Sequence, residues 1–181
     1  MCVSTPRDER LRELARKCTP EVARYLRRRA YPLTDADIED LVEEVLEIAW
    51  RRLDDVPSGA ELPWMIGVAR NVLNNARRKD SRRRRQLGQM RPRGLAFSAE
   101  ENVVANEQLR EALASLSALD QEVLFLHYWE SFNTDAIATA LKISKGASAT
   151  RLSRASTRLQ EAFEENSAAS ETEPLERTRE G

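Results

Sequence analysis

The chain has 181 residues, 41% of them hydrophobic and 33% charged, with a mean hydropathy of −0.59. That leaves room for one ordinary domain or two small ones with modest cores, and none for a large multilayer enzyme. Two cysteines, Cys2 and Cys18, cannot build a disulfide framework, and with the single histidine, His127, they lack the spacing of a zinc site, so no metal and no cofactor is expected. The net charge of −1 hides an asymmetry: residues 1–93 hold 21 Lys/Arg against 15 Asp/Glu, and residues 94–181 hold 8 against 15.

Helical periodicity dominates and nothing alternates as a strand. Leu11, Leu14 and Cys18 mark a first apolar stripe, and Pro20 is expected to restart a helix carrying Val22, Tyr25 and Leu26. The Tyr31-Pro32 pair ends it, because the residue before proline avoids the helical region. Thr34 or Asp35 caps a strong amphipathic helix in which Ile38, Leu41, Val42, Val45, Ile48, Ala49 and Leu53 recur at three- and four-residue steps. Between Asp35 and Glu47 this helix carries seven acids and no base, crowded into its first turns where the helix dipole favours them.

A breaker segment, Asp54 to Pro63, has Pro57, Ser58 and Gly59 at its centre. Another helix runs from about Pro63 through Trp64, Val68, Val72 and Leu73 into seven bases and one acid between Arg77 and Arg85. The acidic and basic blocks suit two partners, a basic surface and a polyanion, though two solvated helix faces would look the same. The arginine run can track a phosphate backbone, and Arg70, Asn71, Asn74 and Asn75 upstream can hydrogen-bond base edges. The Asp54–Pro63 loop could receive a base drawn from the stack, as opening a duplex requires.

Periodicity lapses from Leu87 to about Ala99, where Gly88, Pro92 and Gly94 sit among polar residues, and this reads as a flexible interdomain linker. It resumes at Val104 with Leu109, Ala112, Leu113 and Leu116, followed by a helix from about Asp120 to Trp129. Thr134–Leu141, a three-residue turn, and a helix from Lys145 then have the spacing of a helix-turn-helix, with Ile137, Ala138, Leu141 and Ile143 at its inner corner. Arg151, Arg154 and Arg158 project from the second helix, where they can grip phosphates or reach guanine edges. After Glu164 the composition turns acidic and polar, and residues 164–181 are expected to be a disordered tail.

The fold class is therefore all-α: two small helical domains joined by a flexible linker. No phosphate-binding loop, Ser/His/Asp set or clustered metal ligands occur, and the adjacent Glu43 and Glu44 diverge by about 100° on a helix, so an enzyme is not expected. The longest apolar stretch, Val123 to Trp129, is far short of a membrane span. The N-terminus carries Asp8, Glu9 and arginines where a signal peptide needs an apolar core, so a cytoplasmic protein without membrane insertion is expected.

Three segments carry a family resemblance: Asp37-Ile-Glu-Asp-Leu-Val-Glu-Glu-Val-Leu46, Pro63-Trp-Met-Ile-Gly-Val-Ala-Arg-Asn-Val72, and Leu116 to Leu159, including ALDQEVLFLHYWE and RLSRASTRL. The chain resembles bacterial RNA polymerase sigma factors of the sigma-70 family, in the small extracytoplasmic-function (ECF) group. The likeness covers roughly residues 10–86 and 105–163, with both domains in the family's order.

The resemblance implies a division of labour. Residues 1–86 would be region 2, a helical bundle that docks on core polymerase and recognises and melts the minus-ten element. Residues 87–104 would be the linker, and residues 105–163 region 4, reading the minus-thirty-five element. Asp40, Leu41, Glu44 and Glu47 are the candidates for contact with the clamp helices of the largest catalytic subunit, and region 4 would meet the flap of the second-largest. Asn71 and Asn75 fall at base-reading positions and Arg70, Arg77 and Arg78 at phosphates, with Trp64 a core anchor. Thr150, Ser153 and Arg154 match contact positions for the minus-thirty-five element, with Arg151 and Arg158 as supporting cations.

This sequence departs from the family at several positions. The turn position usually held by glycine is Lys142, which is expected to take a positive φ. Ser148 stands where a valine commonly packs, Ala149 where a base is usual, and Ala147 where threonine is frequent. Glu61, Leu62 and Pro63 lack the aromatic often found before the tryptophan. Members of the family are often held by an anti-sigma protein, a partner the resemblance brings with it. Two rival readings stay open: a conventional helix-turn-helix regulator, and a sigma-like decoy that binds regulatory partners without reading a promoter. Promoter-dependent run-off with core polymerase separates them from an initiation factor.

Overall fold

The structure is a computed structural model that describes residues 5–29, 34–86 and 107–171. Seven helices occupy almost all of them: α1 Pro6–Arg29, α2 Asp35–Arg51, α3 Glu61–Gln86, α4 Glu107–Ser115, α5 Ala118–Tyr128, α6 Thr134–Leu141 and α7 Lys145–Glu171. A single 3-10 turn, Leu53–Asp55, follows α2. Among the described residues there is no strand. The linker expected at 87–104 and the Tyr31-Pro32 helix stop lie outside them.

Helices α1, α2 and α3 pack pairwise into an N-terminal bundle. Leu14, Cys18, Val22, Tyr25 and Leu26 of α1 meet Ile38, Leu41, Val45 and Ala49 of α2 and Met65, Ile66, Ala69, Val72 and Leu73 of α3 in one buried cluster. Thr34 starts α2 with a reciprocal capping box: its hydroxyl accepts from the Asp37 backbone, and the Asp37 carboxylate accepts from the Thr34 backbone at 2.8 Å. The Thr34 hydroxyl also donates to that carboxylate at 2.7 Å, and this bond, with the one from the Thr34 backbone, holds the Asp37 carboxyl below its ordinary pKa. Trp64 is buried, as a core anchor should be, with the Arg52 guanidinium 5.8 Å from its ring centroid.

In the C-terminal bundle α4 and α5 pack against α7, and α6 leads into α7 through the short turn. Leu113, Leu116, Leu124 and Ala155 form its small core, with Leu109, Leu152 and Leu159 against them. Ser117 caps α5 and Asn133 caps α6, its side chain accepting from Ala136 at 2.9 Å. Lys142 closes α6 in the left-handed region at φ 55°, ψ 46°, as the missing glycine required.

Three expectations are corrected. Pro20 does not restart a helix: α1 runs unbroken from Pro6 to Arg29, because Val22, Tyr25 and Leu26 continue the buried face that Leu14 and Cys18 begin. The packing of that face outweighs the backbone hydrogen bond proline removes. The helix carrying Trp64 begins at Glu61, with Pro63 in its first turn. The tail is not structureless from Glu164, since α7 continues to Glu171. There Asn166 donates to the Gln108 carbonyl at 3.3 Å and the Ser167 hydroxyl to the Gln108 side chain at 3.4 Å, tying the last turns to α4. Residues 172–181 lie outside the description.

The two bundles are not held apart. Val123, Phe125, Leu126, Phe132, Ile137 and Ala140 from the C-terminal bundle belong to the same buried cluster as the N-terminal core, and α6 lies across α3. Burying a side chain the size of Ile137 stabilises such a junction by about 1.5–3 kcal/mol.

Candidate nucleic-acid and polymerase interface

On α2 the acids separate cleanly from the core. Asp40, Glu43, Glu44 and Glu47 are exposed, and with Arg51 and Lys79 they line a shallow open depression. Leu41 is different. It is 6% exposed and packs in the N-terminal core, so its expected contact with polymerase is corrected. It sits one position after Asp40 and about 100° around the helix, on the apolar stripe.

On α3 the expected DNA contacts divide in two. Asn71, Asn75 and Arg78 are exposed. Arg70 and Arg77 turn inward instead. The Arg70 Nε lies 3.9 Å from the buried Glu122 carboxylate of α5, and Arg77 donates to the Arg29 carbonyl at the end of α1. Burial, and then the neighbouring Arg29, lower the Arg77 pKa. In this conformation both guanidiniums are partly buried and directed at groups of the protein. The exposed basic run continues with Lys79, Arg82, Arg83 and Arg85.

The loop expected to receive a base is pinned rather than open. Val56 is buried and its carbonyl accepts from Arg10 at 3.1 Å. Gly59, at φ 78°, donates its N–H to Glu61 at 3.0 Å.

On α7, Thr150, Ser153, Arg154 and Arg158 are exposed and Arg151 is half-buried. Its cations divide as those of α3 do. Arg151 and Arg158 both bond the Asp120 carboxylate, at 3.0 and 2.7 Å, while Arg154 stands clear on the exposed face. Asp120 is 2% exposed; burial pushes its pKa up, but the Ser117 hydrogen bond and the two arginines outweigh that and hold it below the ordinary value. Sequence reasoning passed over Asp120 because it read as the start of a helix. Its spacing from Arg151 and Arg158 becomes meaningful only when α5 packs on α7.

Ser148 is fully buried behind this face, and its hydroxyl has no hydrogen-bond partner. His127 is half-buried, with Nδ1 3.0 Å from the Phe132 carbonyl. Among the described residues there is no cluster of His, Cys, Asp or Glu that could hold a metal ion, and no helix is long and apolar enough to cross a membrane.

Comparison with known proteins accounts for both bundles. The family model described as Sigma-70 region 2 matches residues 14–83, and that described as Sigma-70, region 4 matches residues 106–159. The ECF RNA polymerase sigma factor SigL of Mycobacterium tuberculosis is 33% identical over 147 residues, which cover 77% of this chain and 82% of SigL. The chain belongs to the sigma-70 family, among its ECF sigma factors.

A probable RNA polymerase sigma factor of Xanthomonas campestris pv. campestris, RfaY, is 34% identical over 128 residues, 65% of this chain, and the match spans 32% of RfaY. The fold also matches the sigma factor RpoE of Bartonella quintana, solved in complex with the anti-sigma factor NepR. The TM-score is 0.58 at 23% identity, covering 84% of this chain and 96% of that one. As an ECF sigma factor the protein is a non-catalytic initiation factor that binds core RNA polymerase and directs it to promoters.

Proposed function

We propose that three surfaces divide the work of initiation, and that the observation carrying this assignment is the separation of exposed acids on α2 from exposed polar and basic residues on α3 and α7. Asp40, Glu44 and Glu47 dock on the clamp helices of the largest polymerase subunit. Carboxylates on an exposed helix face attract a basic partner at long range and set its orientation. Asn71 and Asn75 read the minus-ten element, with Arg78 and the basic end of α3 along the strand. Thr150, Ser153 and Arg154 read the minus-thirty-five element in a major groove, with Arg151 and Arg158 beside them.

Residues 1–86 then act as region 2, 87–104 as the connection and 105–163 as region 4. The protein works in the cytoplasm, on a regulon tied to stress or environmental change. An anti-sigma protein is an expected partner, because the RpoE of Bartonella quintana was solved bound to one. Gel filtration with purified core polymerase tests the docking surface. The wild type is expected to co-elute, and Asp40→Arg with Glu44→Arg to elute alone with its helical content unchanged. Co-elution of the charge-reversed protein overturns the docking assignment.

A further inference from the structure

The loop between α2 and α3, whose sequence suits it to receive an unpaired base, is bordered by three carboxylates: Asp54, Asp55 and Glu61. Left unanswered, each would repel a nucleic-acid strand. Arg52, just before the 3-10 turn, pairs with Asp55 at 2.7 Å. The other two are met from α1. Arg7 donates to Asp54 at 2.9 Å. Backbone N–H groups of Glu61 itself and of Gly59 hold the Glu61 carboxyl below its ordinary pKa, and the charges of Lys17 and Arg10 add to this. Arg7, Arg10 and Lys17 fall within about 80° of one another around α1, so they form one stripe facing the loop.

The same stripe fixes the loop's backbone. Arg10 donates to the Val56 carbonyl at 3.1 Å, and Arg7 to the Trp50 carbonyl at 3.1 Å, with its guanidinium 5.3 Å from the Trp50 ring centroid. Leu53 and Val56 are buried, and the Asp55 and Ala60 N–H groups return to Arg52 and Pro57 at 2.9 and 3.2 Å. Only the tip, Ser58 and Gly59, stands fully exposed between Val56 and Glu61. The loop is thus rooted at both ends and open at its crown.

The turn that carries Arg7 is itself secured, although helix ends ordinarily fray. The Asp8 carboxylate accepts from the Thr5 backbone at 3.0 Å, the Thr5 hydroxyl accepts from the Asp8 backbone at 3.2 Å, and Pro6 takes the first helical position. This turn precedes residue 14, where the match to region 2 begins, so the family match does not account for it. The loop enters α3 at Glu61, ten residues before Asn71 and about 15 Å from it along the helix. A strand read at Asn71 and Asn75 therefore passes within about five nucleotides of the loop, at 3.4 Å per step.

We propose that Arg7 and Arg10 are positioning residues for strand opening: the first turn of α1 braces the Asp54–Pro63 loop, its acids neutralised, in the shape that receives an unpaired base. The proposal rests on the initiation reading and on the loop's part in it. A loop ordered beforehand loses less freedom when the base enters, and the difference appears as affinity.

The test uses holoenzyme assembled from the full chain. A promoter is chosen from start sites sequenced with wild-type holoenzyme, and its non-template minus-ten strand is labelled with a fluorophore. Abasic sites are placed along that strand one at a time, and binding is read by anisotropy. Wild type is expected to lose about tenfold or more at the base the loop takes and at those read by Asn71 and Asn75. Arg10→Ala should erase the first penalty and keep the others; Asn71→Ala with Asn75→Ala should do the reverse. Arg10→Lys, which keeps a donor for the Val56 carbonyl, should restore the wild-type profile.

Arg7→Ala leaves Asp54 unpaired, so binding of the intact strand should fall about threefold, a deficit that shrinks as salt is raised. Adding Asp54→Asn should restore it. Alanine favours a helix, and co-elution of both arginine variants with core polymerase shows that fold and docking persist. An abasic profile unchanged in Arg10→Ala, or a uniform loss at every position, overturns the brace. Absence of discrete start sites from wild-type holoenzyme overturns the initiation reading, and the brace with it.

Discussion

Helices α3 and α7 are the two helices proposed to face DNA, and they spend their arginines differently. On α3, Arg70 and Arg77 are drawn toward the other bundle and toward the end of α1, leaving Asn71, Asn75 and Arg78 outside. On α7, Arg151 and Arg158 are held by a carboxylate of their own bundle, and the helix face stays open. Ordering an arginine within its own domain prepares a contact, because less rotamer freedom is lost on binding. Ordering it against another domain withholds the contact until the domains part. On the proposed assignment, the contact face of α7 is thus preordered in this conformation, and that of α3 only in part.

The docking face proposed on α2 bears neither constraint, and the largest effect is expected there. Charge reversal at Asp40 and Glu44 should weaken holoenzyme assembly at least a hundredfold, about 3 kcal/mol or more, as like charges meet at a complementary interface. Pull-down against core polymerase reads it directly. Next comes α3: Asn71→Ala with Asn75→Ala should leave assembly intact and reduce strand opening about ten- to a hundredfold, at the 1–3 kcal/mol of a good base contact. Permanganate reactivity of unpaired thymines measures it, and unchanged reactivity would remove these residues from the reading face.

Asp120→Asn sharpens the comparison from the α7 side. Losing the charged acceptor of Arg151 and Arg158 should cost about 2 kcal/mol of stability. It should also weaken binding of a minus-thirty-five duplex without affecting region 2. The wild type adds a pH signature. The Asp120 pKa is depressed on folding, so its contribution is fully present above the ordinary carboxylate value and is lost as pH falls through the lower folded value.

Glu130 has the opposite sign. Burial raises its pKa and Arg28 offsets this only in part, so its contribution improves as pH falls through the raised value. Thermal unfolding from neutral pH downward should therefore lose the Asp120 contribution only at the acid end. The smallest effect is expected at Ser148→Val. It replaces a buried hydroxyl that lacks a partner and should stabilise the protein by about 1 kcal/mol, seen in urea unfolding.

Much of this architecture was legible because its signals are local. The α6–turn–α7 unit falls at Thr134–Leu141 and Lys145, as its spacing required, and the left-handed Lys142 follows from the absence of glycine at the turn. Signals that depend on tertiary packing were misread. Pro20 looked like a boundary because proline is a local breaker, yet the apolar face on either side carries the helix through. Leu41 was assigned to a docking surface alongside its acidic neighbours, although its own place on the three-to-four repeat put it in the core.

The junction left two traces that went unused. One is Glu122, a charge at the head of the apolar run Val123–Leu126; the other is Gly67, inside a helix with no turn around it. Each costs its own helix or core something and gains meaning only from a partner 50 or more residues away.

The central claim, that one chain docks on polymerase through α2 and brings α3 and α7 to two promoter elements, is tested most directly by transcription from fragmented genomic DNA with purified core polymerase. With the protein added, sequencing should show transcripts starting at a discrete set of sites that share two upstream elements, and charge reversal at Asp40 and Glu44 should abolish them. Transcripts no different from those of core polymerase alone would contradict the account.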